Sequence, residues 1–376
     1  MKNKTGFMRR PGVQTLIASI LCAVLGIVIG FLILLAINPS HAGEGIWAIL
    51  KNFFKYNNNT TTMLYYLGST LVKSLPLILC AEAILFAYKA GLFNIGAAGQ
   101  YTAGLIASLY TSLALGWSWW ACLLSALLAG AFWGFLSGMF KAFFAVNEVI
   151  AGIMLNWIAL YLANTILANE KIMDISKSET YGIPQKGIIP GFMQPVFGNN
   201  QYMTIALPLT IIVAILIYLI LNRTTFGYEL KATGYNKDAA KYAGMNAKRN
   251  IILTIVISGA IAGLAAGCHY LTGIEHYSIS ASVPAMGFNG IAVAFLGGLN
   301  PIGAIFAGFF IEYLTMGGQY LDTRYFNPQI ADLMVAIIIY LCGFVLFIKY
   351  LLNKKKSAVI VNANAQTTQD DGKEEQ

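Results

Sequence analysis

Apolar residues fall in long runs along this chain, not at the alternate or three-and-four spacings of half-buried elements. A helix needs about 20 apolar residues to cross a hydrocarbon core. The runs predict ten such segments: 14–37, 64–88, 95–115, 118–140, 149–168, 202–222, 251–272, 284–299, 301–317 and 330–352. The pattern predicts an all-α polytopic membrane protein with one transmembrane domain over 1–352. The runs at 95–115 and 284–317 are rich in Gly and interrupted by Asn or Pro, which makes them candidates for re-entrant rather than spanning segments. The first run is too long for the core of a secretory signal and reads as a retained helix.

Three polar pieces separate or follow the runs. Residues 169–200 carry Pro184, Pro190 and Pro195 and read as a turn-rich loop. Residues 223–250 hold six basic and two acidic side chains, and 353–376 have the composition of a disordered tail. With both termini cytoplasmic, sixteen Lys and Arg besides Lys373 of the tail fall in inside segments, among them Arg9, Arg10, Lys89, Lys141 and the six of 223–250. The outside segments keep six: Lys51, Lys55, Lys171, Lys177, Lys186 and Arg324. That asymmetry predicts a plasma-membrane protein with 223–250 in the cytoplasm and 169–200 outside.

Composition narrows the classes further. Only 11% of the 376 residues are charged, against about 25% in soluble domains. The net charge of +8 does not point to nucleic acid, because the basic residues lie in short patches without an interleaved aromatic stripe. The five cysteines, Cys22, Cys80, Cys122, Cys268 and Cys342, sit in apolar runs without metal-type spacing and read as small buried hydrophobes. The one Gly-Lys step, Gly372-Lys373, is followed by Glu, so no phosphate loop is present and the chain is expected to bind no ATP. No nucleophile–base or metal motif occurs, which argues against an enzyme and against a bound metal. His269 and His276, with Glu275 beside the second, allow a weak metal or proton site but also read as interfacial polar residues.

Polar groups inside spans are costly, and they face an aqueous path or a partner. GLFNIGAAGQ (91–100) puts three glycines and the amides of Asn94 and Gln100 in one short stretch. This predicts a discontinuous helix, of the kind that lines substrate sites in transporters, with glycine-mediated packing as the alternative. GFNGIAVAFLGGLNPIGA (287–304) repeats the Phe93-Asn94 step as Phe288-Asn289, an echo that an internal duplication would leave. NEVIAGIMLNW (147–157) places Glu148 at a helix start, as a cap or a functional acid, and Asn156 two turns along. In FGYELKATGYNKDAAKYAGM (226–245), a short helix around Asp238 is flanked by Gly234 and Gly244, and Ala239 and Ala240 leave room for a docking surface. Lipid contact by a basic loop is the competing reading. Lys73, Glu82, Glu312 and Asp332 lie in or beside spans and are read either as paired charges or as a proton relay.

In order and spacing, these four strings resemble the permease subunits of ABC importers, closest to the nucleoside and simple-sugar group of the ribose and branched-chain amino-acid permease superfamily. The resemblance covers about residues 60–350. Ala98 stands where the family usually has Glu, so that acid's role does not carry over. The resemblance implies a permease that binds no ATP itself and pairs with a second permease, giving a heterodimer. It further implies cytoplasmic ABC ATPases beneath the pair and an extracytoplasmic substrate-binding lipoprotein outside. It assigns Gly234, Asp238, Ala239, Ala240 and Gly244 to ATPase coupling. Amides suit a neutral polyhydroxylated ligand, so Asn94, Gln100, Asn156 and Asn289 are the expected pathway residues, with Phe93, Trp157 and Phe288 as stacking rings. The expected cargo is a nucleoside. A ribose-type sugar is the alternative, and a proton-coupled transporter using Glu82, Glu312 or Asp332 is the competing class.

Overall fold

The computed structural model describes residues 11–344 except 175. The expectations for residues 1–10, for the end of the last run (345–352) and for the 353–376 tail lie outside the described residues. Within them, every one of the ten apolar runs becomes a helix. In chain order the helices are α1 (Pro11–Ile37), α2 (Ala42–Lys51), α3 (Thr60–Lys89), α4 (Ala97–Leu109), α5 (Trp119–Phe144), α6 (Glu148–Leu167) and α7 (Ala206–Arg223). Then follow α8 (Thr225–Tyr235), α9 (Lys237–Tyr242), α10 (Ala247–Tyr270), α11 (Met286–Leu296), α12 (Pro301–Gly317) and α13 (Ile330–Cys342). Between α6 and α7, strands β1 (Met173–Asp174) and β2 (Glu179–Thr180) form a small antiparallel hairpin.

Seven of these helices are long and apolar enough to cross a membrane: α1, α3, α5, α6, α7, α10 and α12. The other three runs give short helices. α11 has 11 residues and spans about 16 Å at 1.5 Å per residue, roughly half of a hydrocarbon core about 30 Å thick. α4 has 13 residues and continues into a π turn at Tyr110–Ala114. The 13 described residues of α13 end at Cys342. The re-entrant expectation thus fits α11 best, because the extended segment 271–285 replaces its first half.

α3 and α10 are the spine of the bundle. They are 89% and 72% buried over their spanning windows, against 28% for α1 and for α7. Close approach of helices in a membrane depends on small residues, because burial of side chains against lipid tails yields little. Gly130 and Gly134 of α5 meet Gly259 and Gly263 of α10 backbone to backbone, and Gly104 of α4 also meets Gly263. A Cβ on Gly263 would lie 2.2 Å from the Ala126 carbonyl oxygen and 2.9 Å from the Gly130 Cα. At the far edge, α1 packs on α13, with Gly26 and Gly30 against Ile338 and Met334.

The segment 169–200 is pinned rather than loose. Thr180 N–H donates to the Tyr277 carbonyl, the Asn200 amide donates to the Tyr65 carbonyl and to Ser69 Oγ, and Asn164 caps the turn at Ser280. This cluster sits at the end of α10 opposite α8 and α9. Lys141 and Glu148 pair at 2.6 Å across the α5–α6 turn, with Glu148 in the first turn of α6.

Gly263→Val should push α5 away from α10 at a cost of about 1–3 kcal/mol, the usual range for overpacking. Gly43→Ala has no atom within 4 Å of the new Cβ and serves as the neutral control. Fluorescence-detected size exclusion of the two variants in detergent should show a reduced, broadened peak for the first and a wild-type peak for the second.

Candidate functional site

The chain leaves α3 at Lys89, turns at Ala90-Gly91 and re-enters a helix only at Ala97. Such a break inside a membrane protein leaves backbone and side-chain polar groups that must find partners in protein. Here they do. Asn94 Nδ2 donates to Gln100 Oε1 at 2.8 Å and to Ser258 Oγ at 2.7 Å, and Gln100 Nε2 returns a bond to Asn94 Oδ1 at 3.3 Å. Ser258 Oγ donates in turn to the Ala83 carbonyl at 2.6 Å. On the other side, Asn156 Oδ1 accepts from Gly99 N–H at 2.7 Å while Asn156 Nδ2 donates to the Ile95 carbonyl at 3.1 Å. Asn94, Gln100 and Asn156 are 4%, 1% and 2% exposed. Three of the four predicted pathway amides therefore form one latch that ties the break to α3, α6 and α10.

The latch sits between the two other singled-out features. Below it, Gly91 (φ +74°) lies against Gly234 of α8, where a Cβ on Gly234 would come within 2.5 Å of the Ala90 carbonyl carbon. Asn250 Nδ2 donates to Thr233 Oγ1 at 3.0 Å, fixing α8 to α10 as well. Asn236 caps α9 by accepting from Asp238 and Ala239 N–H. Ala240 is buried, whereas Asp238, Ala239 and Gly244 are exposed. Tyr235 and Tyr242, which sequence reasoning passed over, are 91% and 94% exposed on this same segment. Two aromatic rings in full solvent are a signature of an interface, and the YNKDAAKY spacing could have marked them.

Above the latch, Ala98 at the start of α4 abuts Gly287 at the start of α11, and a Cβ on Gly287 would overlap it at 2.7 Å. The position that usually carries an acid in the resembled family is thus closed by α11. The two short helices meet at their N-termini and run in opposite directions: Gly290 lies against Cys80, and Phe295 packs on Tyr88 near the end of α3. The Phe-Asn echo is not equivalent in detail, since Asn94 lies in the break and Asn289 in the first turn of α11.

Asn289 separates from the other three amides. It lines a cavity of about 440 Å³ with Lys73, Glu275, Glu312, Thr315 and Asp332. The spanning charges that the sequence left unplaced, Glu82 apart, are thereby gathered around it. His269 forms part of the wall, with Nε2 3.3 Å from Glu275 Oε2 and Nδ1 2.6 Å from the Tyr101 hydroxyl on α4. The His269 ring holds the Glu275 carboxyl below the usual carboxylate range despite partial burial. His276 turns instead to the Thr180 carbonyl, and among the described residues no group of three His, Cys, Asp or Glu could hold a metal. A second cavity, of about 840 Å³, lies under the 169–200 segment between Trp119, Tyr202 and His276. Of the predicted stacking rings, Phe93 is half-buried, while Trp157 and Phe288 are 44% and 40% exposed, Trp157 stacked on Tyr161.

Residues 66–343 match the family of branched-chain amino acid transport system permease components. The chain belongs to this family. It is 32% identical to the guanosine ABC transporter permease protein NupP of Bacillus subtilis over 91% of this chain and 97% of that one. It is 31% identical to the nucleoside ABC transporter permease protein NupB of Lactococcus lactis, over 90% and 94% of the two chains. The glucose ABC transporter permease protein TsgB13 of Haloferax volcanii is 28% identical over 74% and 76%. No solved structure matches significantly. The chain is thus a multi-pass membrane transport component, a permease subunit of the ABC importer type.

Asn156→Ala would strand the Gly99 N–H and the Ile95 carbonyl in the interior, costing about 1–3 kcal/mol. The variant should melt several degrees lower in a detergent thermal-shift assay than Asn164→Ala, whose partners lie at the edge of the bundle.

Proposed function

We propose that this permease carries nucleosides inward in an ATP-driven importer, with both termini and the α8–α9 segment in the cytoplasm. Its similarity to guanosine and nucleoside permeases over nine-tenths of both chains carries the reading. A second, non-identical permease completes the pathway. An ABC ATPase docks on Tyr235, Tyr242 and the exposed side of α9 around Asp238 and Ala239, and an extracytoplasmic binding lipoprotein delivers the cargo. ATP is bound and hydrolysed by the partner, not by this chain.

The mechanism follows from which atoms touch. The ATPase moves α8 and α9, Gly234 passes that displacement to Ala90-Gly91 at the start of the break without an intervening side chain, and the first amide of the latch, Asn94, follows three residues later. A shift there strains the Asn94–Gln100–Ser258 bonds and the two Asn156 bonds together, so the latch has two arrangements, and ATP selects between them. Gly244 at φ +83° closes the turn that returns the segment to α10. In this scheme Asn94, Gln100 and Asn156 hold the moving element and Asn289 faces the cargo. Phe93 lies in the moving break, and Trp157 and Phe288 sit on faces turned away from the chain's own core. The proton-driven alternative is set aside because relatives similar over nine-tenths of the chain are named ABC transporter permeases.

A tagged chain extracted in mild detergent should carry an ABC ATPase and a second permease with it, identified by mass spectrometry. Recovery of the chain alone across several detergents would overturn the assignment. Tyr242→Ala should reduce the recovered ATPase by about tenfold, in the range of an interface hot spot, with the chain's own yield unchanged. Gly234→Leu should leave the ATPase bound and hydrolysing while nucleoside uptake falls to background. Normal uptake by that variant would remove the Gly91–Gly234 contact from the mechanism.

A further inference from the structure

The cavity around Asn289 holds a carboxylate that the fold does not use. Glu312 is 7% exposed, yet it makes no hydrogen bond or ion pair among the described residues. Burying such a group without partners is expensive, and intramembrane acids kept this way serve a ligand or a path. The rest of the wall fits that use. Glu275, Glu312 and Asp332 contribute carboxylates, while Lys73 is the one lysine lining it. Acceptors outnumber donors, so a ligand seated here must bring hydrogen-bond donors and no negative charge of its own. The volume of about 440 Å³ suits a small molecule.

Guanosine and glucose, named for two relatives, have no base in common; they share hydroxyls on adjacent ring carbons. The two oxygens of a carboxylate accept two neighbouring donors side by side, the same geometry that makes bidentate pairs strong. We infer that this cavity seats the sugar ring of the cargo, with the Glu312 carboxylate accepting both hydroxyls of a vicinal diol and Asn289 at the neighbouring edge. Lys73 keeps the acidic wall from excess negative charge. The inference rests on the importer reading above. It adds to it a residue that distinguishes ribonucleosides from 2′-deoxyribonucleosides inside the permease itself.

The test is uptake by the complete importer, with labelled guanosine and 2′-deoxyguanosine measured against concentration for wild type and Glu312→Gln. The delivering protein is the same in both, so any change in the ratio between the two cargoes belongs to this chain. The half-saturating concentration for guanosine should rise about tenfold in the variant, as expected for losing a hydrogen bond to a charged group. That for 2′-deoxyguanosine, which lacks one of the two hydroxyls, should change less than twofold. Equal rises for both cargoes, or no change in either, would overturn the inference while leaving the importer reading intact. A wild-type importer that takes up no nucleoside overturns both. Should Glu312→Gln fail to reach the membrane, Glu312→Asp retracts the carboxylate by one methylene and is read by the same ratio.

Discussion

A helix broken inside a bilayer has no water to complete its hydrogen bonds, and everything central in this protein is arranged around that one constraint. The break at 90–96 is supplied by Asn94, Gln100 and Asn156, with Ser258 relaying the bond to α3. Because these partners come from α3, α4, α6 and α10, no one of the four helices can move at this level without disturbing the others. Satisfied polar networks in a low-dielectric interior fix position strongly, and breaking any member exposes the rest to the full cost. The latch therefore ties four helices at one level, where a small displacement disturbs several buried hydrogen bonds at once.

The close packing of α5 on α10 makes this arrangement reachable. Gly130, Gly134, Gly259 and Gly263 let those two backbones touch, and Gly104 against Gly263 brings α4 equally close to the stretch of α10 that carries Ser258. On the opposite side of α3, α11 is only half a membrane long, and its first turn takes the room beside Ala98. The cavity lined by Asn289 and Glu312 is what remains between that shortened helix, α12 and α13. Polar chemistry and helix shortening are thus linked. A full-length α11 would fill the space where Lys73, Glu312 and Asp332 now converge.

Much of this was readable in the chain. Each apolar run became a helix, the Gly-rich strings fell where helices are short or broken, and three of the four amides that looked costly in lipid, Asn94, Gln100 and Asn156, are ones that bond. Their role was harder to read. An asparagine in an apolar run signals only that some partner exists; a backbone carbonyl and a substrate hydroxyl leave the same mark in sequence. Asn94 and Asn289 therefore looked alike, although one is bonded to the chain and the other lines the cavity. Ser258 was passed over because serine is common in membrane helices. The grouping of Lys73, Glu275, Glu312 and Asp332 joins positions some 260 residues apart, and no local spacing encodes it. The exposed rings of Tyr235 and Tyr242 were passed over because the segment's basic residues fit lipid contact as well as docking, and only its small and acidic positions were named.

The contact of Gly234 with Gly91 is made of backbone alone, so it has no side chain that substitution could adjust. If the ATPase docks on this segment as proposed, adjustment to a particular motor would fall on its other side, on Tyr235, Tyr242 and the cap at Asn236. One face of α8 and α9 is consequently frozen and the other is free to vary. On the proposed docking, a single ten-residue stretch would separate a backbone contact that tolerates no side chain from the surface that meets the companion.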